Sequence, residues 1–308
     1  MAISAATTLS DFSGYLKPEL ADAYFEDARK ASVVQSLVRQ VPLGASGVDI
    51  PVVTSKPTAA WVAEGGKKPA TKGGMSLKSM SPKKIAAIAV VSAEVVRANP
   101  GNYMEIFRQD IAEAFAAAFD AATLHGTNSP FGAGSHVGAT TKSVTLGTAT
   151  AANGGIHADV NAGLSLLVND SKRLTGFAFD AVAEPLFNGA VDTAGRPLFN
   201  DGILDDAAAP LRNGRMLGRP AYIGEGVGAG DVVGFGGDWS KAVWGRVGGI
   251  NYKVSTEAPV TIDGELISAF EHNLVAILAE AEFGWLLHDA ESFVKYEAGT
   301  DAEGGTEG

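Results

Sequence analysis

The sequence predicts an α+β fold built on one long helix, and three observations carry that prediction. Tyr103, Phe107, Ile111 and Phe115 recur every fourth residue, with Ala118 and Ala122 continuing the stripe, the spacing of one helical face. After that helix, short runs such as FAFDAVAEP, MLGRPAYIGEG, DVVGFGGDWS and VWGRVGGINYKVS alternate with turns marked by Gly and Pro. Helices beside many short strands give a mixed core. Before it, the extended runs VDIPVVT and SLKSMSPKKIAAIAVVS enclose KPTAAWVAEGGKKPATKGG, which is too rich in Gly, Pro and Lys to be either element.

Composition sets the limits. A chain of 308 residues suits one large domain or two closely joined ones. With 46% hydrophobic and 19% charged residues it has the make-up of an ordinary globular protein. There is no cysteine, so neither a disulfide framework nor a thiolate metal site is available. The longest apolar stretches fall short of the ~20 residues a membrane helix needs. The opening MAISAATTLSDFSGYLKPEL has neither the basic start nor the apolar run of a signal peptide. An unprocessed protein made inside the cell, with no membrane partner, is expected. The net charge of −11 disfavours sequence-specific DNA binding, because so acidic a body repels phosphate. That charge is uneven. From Lys56 to Lys84 there are seven lysines and one acid, Glu64, a local +6, whereas the remainder carries 17 basic and 34 acidic residues, −17.

Taken in order, residues 1 to about 40 read as an arm, with Leu20, Tyr24 and Ala28 on one face of a short amphipathic stretch. Residues 48–91 read as one long β-hairpin whose arms of about 20 residues reach up to ~60 Å. It has too few large apolar residues for a core of its own, and an isolated two-stranded hairpin is marginal in water. It must therefore lie on its own body or on a neighbour. Ser92-Ala-Glu-Val-Val starts a turn, Asn99-Pro100-Gly101 interrupts it, and Asn102 with Glu105 forms an approximate capping box for the long helix. Glu105, Gln109, Glu113 and Asp120 are expected on its outer side, and His125-Gly126 at its end. From Tyr103 to Leu124 it would run roughly 33 Å. A second helix is expected over about 156–174, with Val160, Leu164, Leu167, Val168 and Leu174 inward. The strand units follow, then FEHNLVAILAEAEFGWLLHDAESFVKY as strands and an acidic, Gly-rich tail expected to be disordered.

This order of elements is similar to that of the Hong Kong 97-type major capsid proteins of tailed bacteriophages. AAWVAEGGKKPAT resembles the family's loop tip, and KKIAAIAVVSAEVV the strand leading into its spine helix. DIAEAFAAAFDAATLHGTNSPFG resembles the spine and the turn that ends it. AGRPLF, MLGRPAYI, GFGGDWSKAVWGRVGGINYKVS and GWLLHDAESFVKY match the later blocks in order, so that most of residues 30–297 is covered. The resemblance implies an N-terminal arm over 1–47, an extended loop over 48–91 and a peripheral domain with the spine helix over 92–132. It further implies an axial domain over 133–265, returning strands of the peripheral domain over 266–297, and a tail over 298–308.

The function it implies is that of a non-enzymatic shell subunit forming hexamers and pentamers of an icosahedral capsid around double-stranded DNA. No cofactor and no metal are implied. The chain would be assembled in the host bacterial cytoplasm and reside in the virion. The partners implied are other copies, a portal, a decoration protein and, non-specifically, the packaged DNA. The arm is too short for a fused scaffolding domain, so a separate scaffolding protein is expected.

On that layout Trp61, Glu64, Lys67, Lys68 and Lys72 are the candidate inter-subunit contacts, and Phe107, Ile111 and Phe115 the core of the spine helix. Trp61 either anchors an interface or packs locally; aromatic anchors are enriched at interfaces, which favours the first. Each lysine alone is ordinarily a solvated surface residue. Clustered on a loop with no core, beside an acidic body, the set favours complementary docking. Some family members join a loop lysine to a neighbour's asparagine. Lys67, Lys68 or Lys72 could serve by position, but no asparagine or assisting acid matches residue by residue, and no crosslink is predicted.

Signals of chemistry are weak. Gly224-Glu-Gly-Val-Gly-Ala-Gly230 loosely resembles a dinucleotide loop, yet DVVGF follows where a helix should open. Gly65-Gly-Lys-Lys-Pro lacks the Walker spacing. His125, His136, His157, His272 and His288 form no metal motif, and Gly134-Ser-His-Val137 is not a nucleophile elbow. The competing functions are an encapsulin-type nanocompartment shell, which shares the fold, and a cytosolic α/β hydrolase.

Overall fold

The computed structural model describes residues 32–68, 70–99, 103–150, 153–190, 200–201, 211–262 and 264–299. The expected amphipathic stretch around Leu20, Tyr24 and Ala28, the Asn102 cap, the GRPLF unit and the tail from 300 lie outside these residues.

The chain opens with α1 (Val33–Leu37) and β1 (Arg39–Gln40), then β2 (Val48–Ser55), β3 (Gly74–Met80), β4 (Lys83–Ser92), α2 (Ala93–Ala98) and α3 (Tyr103–Leu124). Next come β5 (Ser143–Thr145), α4 (Gly155–Asn169), β6 (Gly176–Asp180), α5 (Glu184–Gly189), β7 (Asn200–Asp201), β8 (Arg212–Met216), β9 (Arg219–Gly224) and β10 (Val232–Gly237). The last third supplies β11 (Ala242–Arg246), β12 (Asn251–Ser255), β13 (Pro259–Ile262), β14 (Glu265–Ser268), β15 (Leu274–Leu287) and β16 (Phe293–Glu297).

Two sheets organise the described residues. In the first, β15 pairs along one edge with β4, from Leu274↔Ser92 to Phe283↔Lys83. Along its other edge it pairs with β12 at Ala276–Glu280 and β11 at Phe283–Leu287, and β1 adds in parallel to β11. Helix α3 covers one face of this sheet. Ile111 and Phe115 are 5% and 3% exposed and pack with Ala279 and Ala281 of β15, and Phe107 is half-buried beside them. Alanines at the contact let the helix lie close, so its aromatic rings fill the gap. The second sheet is mixed, in the order β5-β16-β10-β6-β9-β8-β7. Its middle strand β6 is buried at all five residues: Phe177 and Phe179 face a core shared with α4, and Ala178 faces the other way. Gly234 and Gly236 of β10 lie opposite Phe179 and Phe177, and a Cβ on Gly234 would sit 2.1 Å from the Phe179 ring. This is the structural reason for the GFGG run, whose glycines give room to rings across the ladder.

A cluster of aromatic residues joins the sheets. Phe119 of α3 packs within 6.2 Å, ring centre to ring centre, of Trp244, Phe283, Trp285 and Phe131. Trp244 Nε1 donates to Val38 O at 3.0 Å, Trp285 Nε1 to Ser135 O at 2.7 Å and Trp239 Nε1 to Gly176 O at 3.0 Å. Each buried indole therefore spends its one donor on a backbone carbonyl.

Several expectations change. The extended segment expected over 48–91 divides at Ser81-Pro82: β3 stays in the hairpin and β4 enters the first sheet. Proline cannot donate to a ladder, which explains the break. Sheet membership also cuts across the 265/266 boundary, because β11 and β12 pair with β15 whereas β16 pairs with β10. The second helix stops at Asn169. Ser171 is left-handed (φ 57°), Lys172 N donates to Leu167 O and Ser171 N to Val168 O, a helix-ending motif that usually has glycine at that place. Leu174 is buried beyond the helix and Val168 is 57% exposed, contrary to the expected stripe. On α3, Ala118 is exposed and Phe119 takes its place in the stripe, which continues through Ala122 as expected.

The largest correction is Asp120, which is 6% exposed rather than on the outer side. Its carboxylate accepts from Ser32 Oγ at 2.5 Å and Val33 N at 2.9 Å, tying the start of α1 to the long helix. Burial pushes its pKa up to about 7, against the opposing pull of those hydrogen bonds.

Two predictions follow from this packing. Phe115→Ala removes a ring from a closed site and is expected to cost about 3–5 kcal/mol in denaturant unfolding, with Glu113→Ala nearly silent; equal tolerance at both would contradict the packing. Folded Asp120 holds its proton above the ordinary value of 3.8, so its contribution to stability declines as pH rises from there to about 7. Melting of the unassembled subunit at pH 5 and pH 8 should therefore differ less in Asp120→Asn than in the unsubstituted chain.

Candidate functional site

Among the described residues, the hairpin β2–β3 is the longer of two hairpins that lie outside the two sheets. Its strands pair from Val48↔Met80 to Ser55↔Gly74 with one irregularity near the far end. Alternation gives it two unlike faces. One is seated on the body at its root, with Met80 1% and Val52 9% exposed. The other carries Pro51, Val53, Met75 and Leu77, and the last three are 55%, 71% and 69% exposed.

Glycines make the seat. Gly245 of β11 and Gly284 of β15 are cross-strand partners, and a Cβ on either would meet Leu43 or Met80 at 2.7–3.1 Å. The pair leaves a notch in the sheet that Met80 and Leu43 fill. Gly47, left-handed at φ 86°, starts the hairpin where a Cβ would press on Met80 O at 2.8 Å. Beside the notch Lys78 Nζ donates to His288 O at 3.0 Å. Burial, then the positive charges of Lys78 and Lys241, hold the His288 imidazole below its ordinary pKa, so that it is neutral around pH 7.

Beyond Ser55 the chain leaves the strand and returns at Gly74. Across the base of this tip Ser55 Oγ donates to Lys72 O and Thr71 Oγ1 to Thr58 O, and Gly66 N donates to Ala63 O in a turn through the left-handed Gly65. Trp61 is fully exposed, and Glu64, Lys56, Lys67, Lys68 and Lys72 are exposed around it. An indole in water with no intramolecular contact leaves its apolar area available to another molecule. The five loop residues singled out from the sequence thus share one tip, whereas Phe107, Ile111 and Phe115 lie under the helix in another part of the molecule. Sequence reading missed Lys78 and the Gly245–Gly284 notch; glycine inside the strands AVWGR and EFGWLL was the available signal, since it marks close approach of another chain segment.

Elsewhere the residues that suggested chemistry have structural work. His125 Nε2 lies 2.8 Å from Val227 O and fixes the end of α3 to the Gly224–Gly230 loop. In that loop Gly228 N donates to Asp180 Oδ2 at 2.8 Å, and a strand, β10, follows it rather than a helix. Ser135 serves through its carbonyl to Trp285, and His157 and His272 are exposed and far apart in sequence. No three His, Asp or Glu side chains converge to hold a metal among the described residues. The groove of about 340 Å³ between α3 and β4 is lined by Lys83, Lys84, Phe119, Phe131 and neighbours with no His, Asp or Glu.

The family model for the phage capsid family matches residues 14–298. The chain belongs to the phage capsid family. Among relatives of this capsid chain, the probable major capsid protein gp17 of Mycobacterium phage D29 is 44% identical over 287 residues, covering 92% of this chain and 90% of the relative. The probable major capsid protein gp17 of Mycobacterium phage L5 is 42% identical over 301 residues, covering 94% and 91%. A solved structure from Mycobacterium phage Bobi superposes with a TM-score of 0.71 at 19% identity, over 97% of this chain and 99% of that one, a likeness of fold.

For a capsid chain, an indole that touches nothing in its own chain is where assembly and folding separate. Trp61→Ala is expected to leave circular dichroism and melting of the unassembled subunit unchanged and to reduce particle yield sharply. A lowered melting temperature with yield falling only in proportion would assign the indole to its own body.

Proposed function

We infer that the chain is the major capsid protein of a tailed phage and works by surrendering its own extended arm to a neighbouring copy. The observation that carries this reading is the β2–β3 arm: its root is seated by Met80, while Val53, Met75, Leu77 and Trp61 are left to water. One arm per subunit, each lying on the next copy, links subunits around a ring and lets a closed shell form by repetition of one heterologous contact. The five-stranded sheet with α3 corresponds in this reading to the peripheral domain of a Hong Kong 97-type subunit, and the seven-stranded sheet with α4 to the axial domain. Hexamers and pentamers of an icosahedral shell around double-stranded DNA follow, with assembly in the host cytoplasm and a separate scaffolding protein, a portal and a decoration protein as further partners. Membership of a capsid family supports a structural rather than an enzymatic role.

Charge supports the same reading. Lys56, Lys67, Lys68 and Lys72 of the arm have no ion pair among the described residues, whereas Lys84, at the end of the same basic segment, already pairs with Glu280. Opposite charge across the contact speeds encounter and sets register more than it adds affinity.

Negative-stain microscopy and native mass of the expressed protein, alone and with its scaffold, test the proposal. Capsomers or closed particles are expected, and a stable monomer under all conditions would refute it. Assembly should slow as ionic strength rises, since exposed charges are screened over ~8 Å at physiological salt. Lys67→Glu, Lys68→Glu and Lys72→Glu together should impair assembly while the subunit stays folded; unchanged assembly of that variant would leave the lysines as solvated surface only.

A further inference from the structure

The arm is held to the body at two places of different chemistry. Nearest the root, Met80 fills the Gly245–Gly284 notch, an apolar contact that no change of pH can charge. Two residues further out on the same face, Lys78 Nζ donates to the carbonyl of His288, the residue that follows β15. His288 is fixed in turn, because its amide donates to Lys241 O at 2.8 Å. Its imidazole Nδ1 is shut off from water and has no hydrogen-bond partner. The charged groups around the ring are Lys78 from β3, Lys241 from the turn before β11, and Asp289 beside it. Asp289 is already engaged: it accepts from Lys172 Nζ at 2.6 Å, from Ser292 Oγ at 2.8 Å and from Glu291 N at 3.1 Å. The ring therefore fits its place only while neutral.

We propose that this contact is an acid-released catch within the subunit: protonation of His288 displaces Lys78, and the arm swings about Met80. An imidazolium carries a proton on both nitrogens, so one of them would point from Nδ1 into a space with no acceptor. It would also add a third positive charge beside the ammonium groups of Lys78 and Lys241, with the nearby carboxylate already taken. Swinging the arm outward takes Lys78 away and opens the ring to water, which solvates the cation. With the arm seated, burial and then the two lysines hold His288 below its ordinary value of 6.5; with the arm out, it returns towards that value. The catch is therefore at full strength above 6.5 and weakens as pH falls below it, by at most about tenfold per pH unit for one proton. Met80 does not titrate and keeps the root in place, so the response is a swing and not a detachment. The device lies within one chain, so it stands or falls apart from the docking of the arm on another copy.

The distance between the arm tip and the body tests the catch. With no native cysteine, Thr58→Cys on the tip and Ser165→Cys on α4, both exposed, accept spin labels in the unassembled full chain. One narrow distance population is expected at pH 8. A second, broader one should grow several-fold between pH 7 and pH 5.5, with circular dichroism unchanged. An unaltered distance distribution over that range overturns the proposal. His288→Gln keeps the carbonyl that Lys78 uses and cannot take up the proton, so it is expected to hold the narrow population throughout. Asp120, on the far side of α3 from the sheet, also titrates at about 7. A pH response that persists in His288→Gln therefore belongs to another group and overturns the proposal as well. Should that variant not fold, Lys241→Gln takes its place. With one ammonium fewer beside the ring, release is expected at lower pH, and an unmoved midpoint overturns the catch.

Discussion

Everything described here depends on β15 being bonded along both of its edges. It is fourteen residues long, and its full length is used: β4 on one side, β12 and β11 end to end on the other. A strand paired on both edges over most of its length has few backbone donors left to satisfy and little edge to protect. Its small residues Ala279 and Ala281 set the depth at which α3 lies, and Gly284 opens the notch that Met80 occupies. Its far end, through Trp285 and Leu287, reaches the aromatic cluster and so the second sheet. The helix, the arm and the junction of the two sheets are therefore positioned by successive residues of a single extended segment.

Periodicity made the long helix legible: the recurrence from Tyr103 to Leu124 marks the same residues that form α3. What it concealed was Asp120. A carboxylate in an otherwise polar row reads as solvent-facing, and only the tertiary approach of Ser32 and Val33 turns it inward. The end of α4 was hidden for a related reason, since serine at position 171 takes a left-handed conformation that sequence rules reserve for glycine. Strand partners were the least visible feature. FEHNLVAILAEAEFGWLLHDAESFVKY reads correctly as strands, yet nothing local says that its first half sits between β4 and β12 while its end crosses to β10. The arm was legible as an excursion because composition excludes a core of its own; where it stops and β4 begins is set by Pro82 and by the pairing with β15.

The division of labour between apolar and charged residues follows one pattern. Buried carboxylates and hydroxyls in the cores find backbone partners: Asp159 accepts from the amides of Gly147, Thr148 and Ala149, and Thr140 Oγ1 donates to Phe293 O. On the two hairpins, large apolar residues stand in water next to exposed charges, mostly basic on the arm and acidic on β13–β14. A monomer selected for its own solubility would bury or dilute such residues. That arrangement accords with membership of the capsid family and with the proposal that the arm docks on another copy.

The continuity of β3 into β4 also has a mechanical side. The arm is spliced, through Ser81 and Pro82, to a strand that exchanges backbone hydrogen bonds with β15 over ten consecutive residue pairs. A pull on the arm directed along that strand arrives at Lys83 and meets those pairs in shear, sharing the force among them, whereas a pull across it would open them one at a time. Met80, wedged in the glycine notch just before the splice, fixes the root of the arm beside the start of that strand. Were the arm held by another copy, as proposed, a load applied along β4 would meet these pairs in the direction in which they yield least.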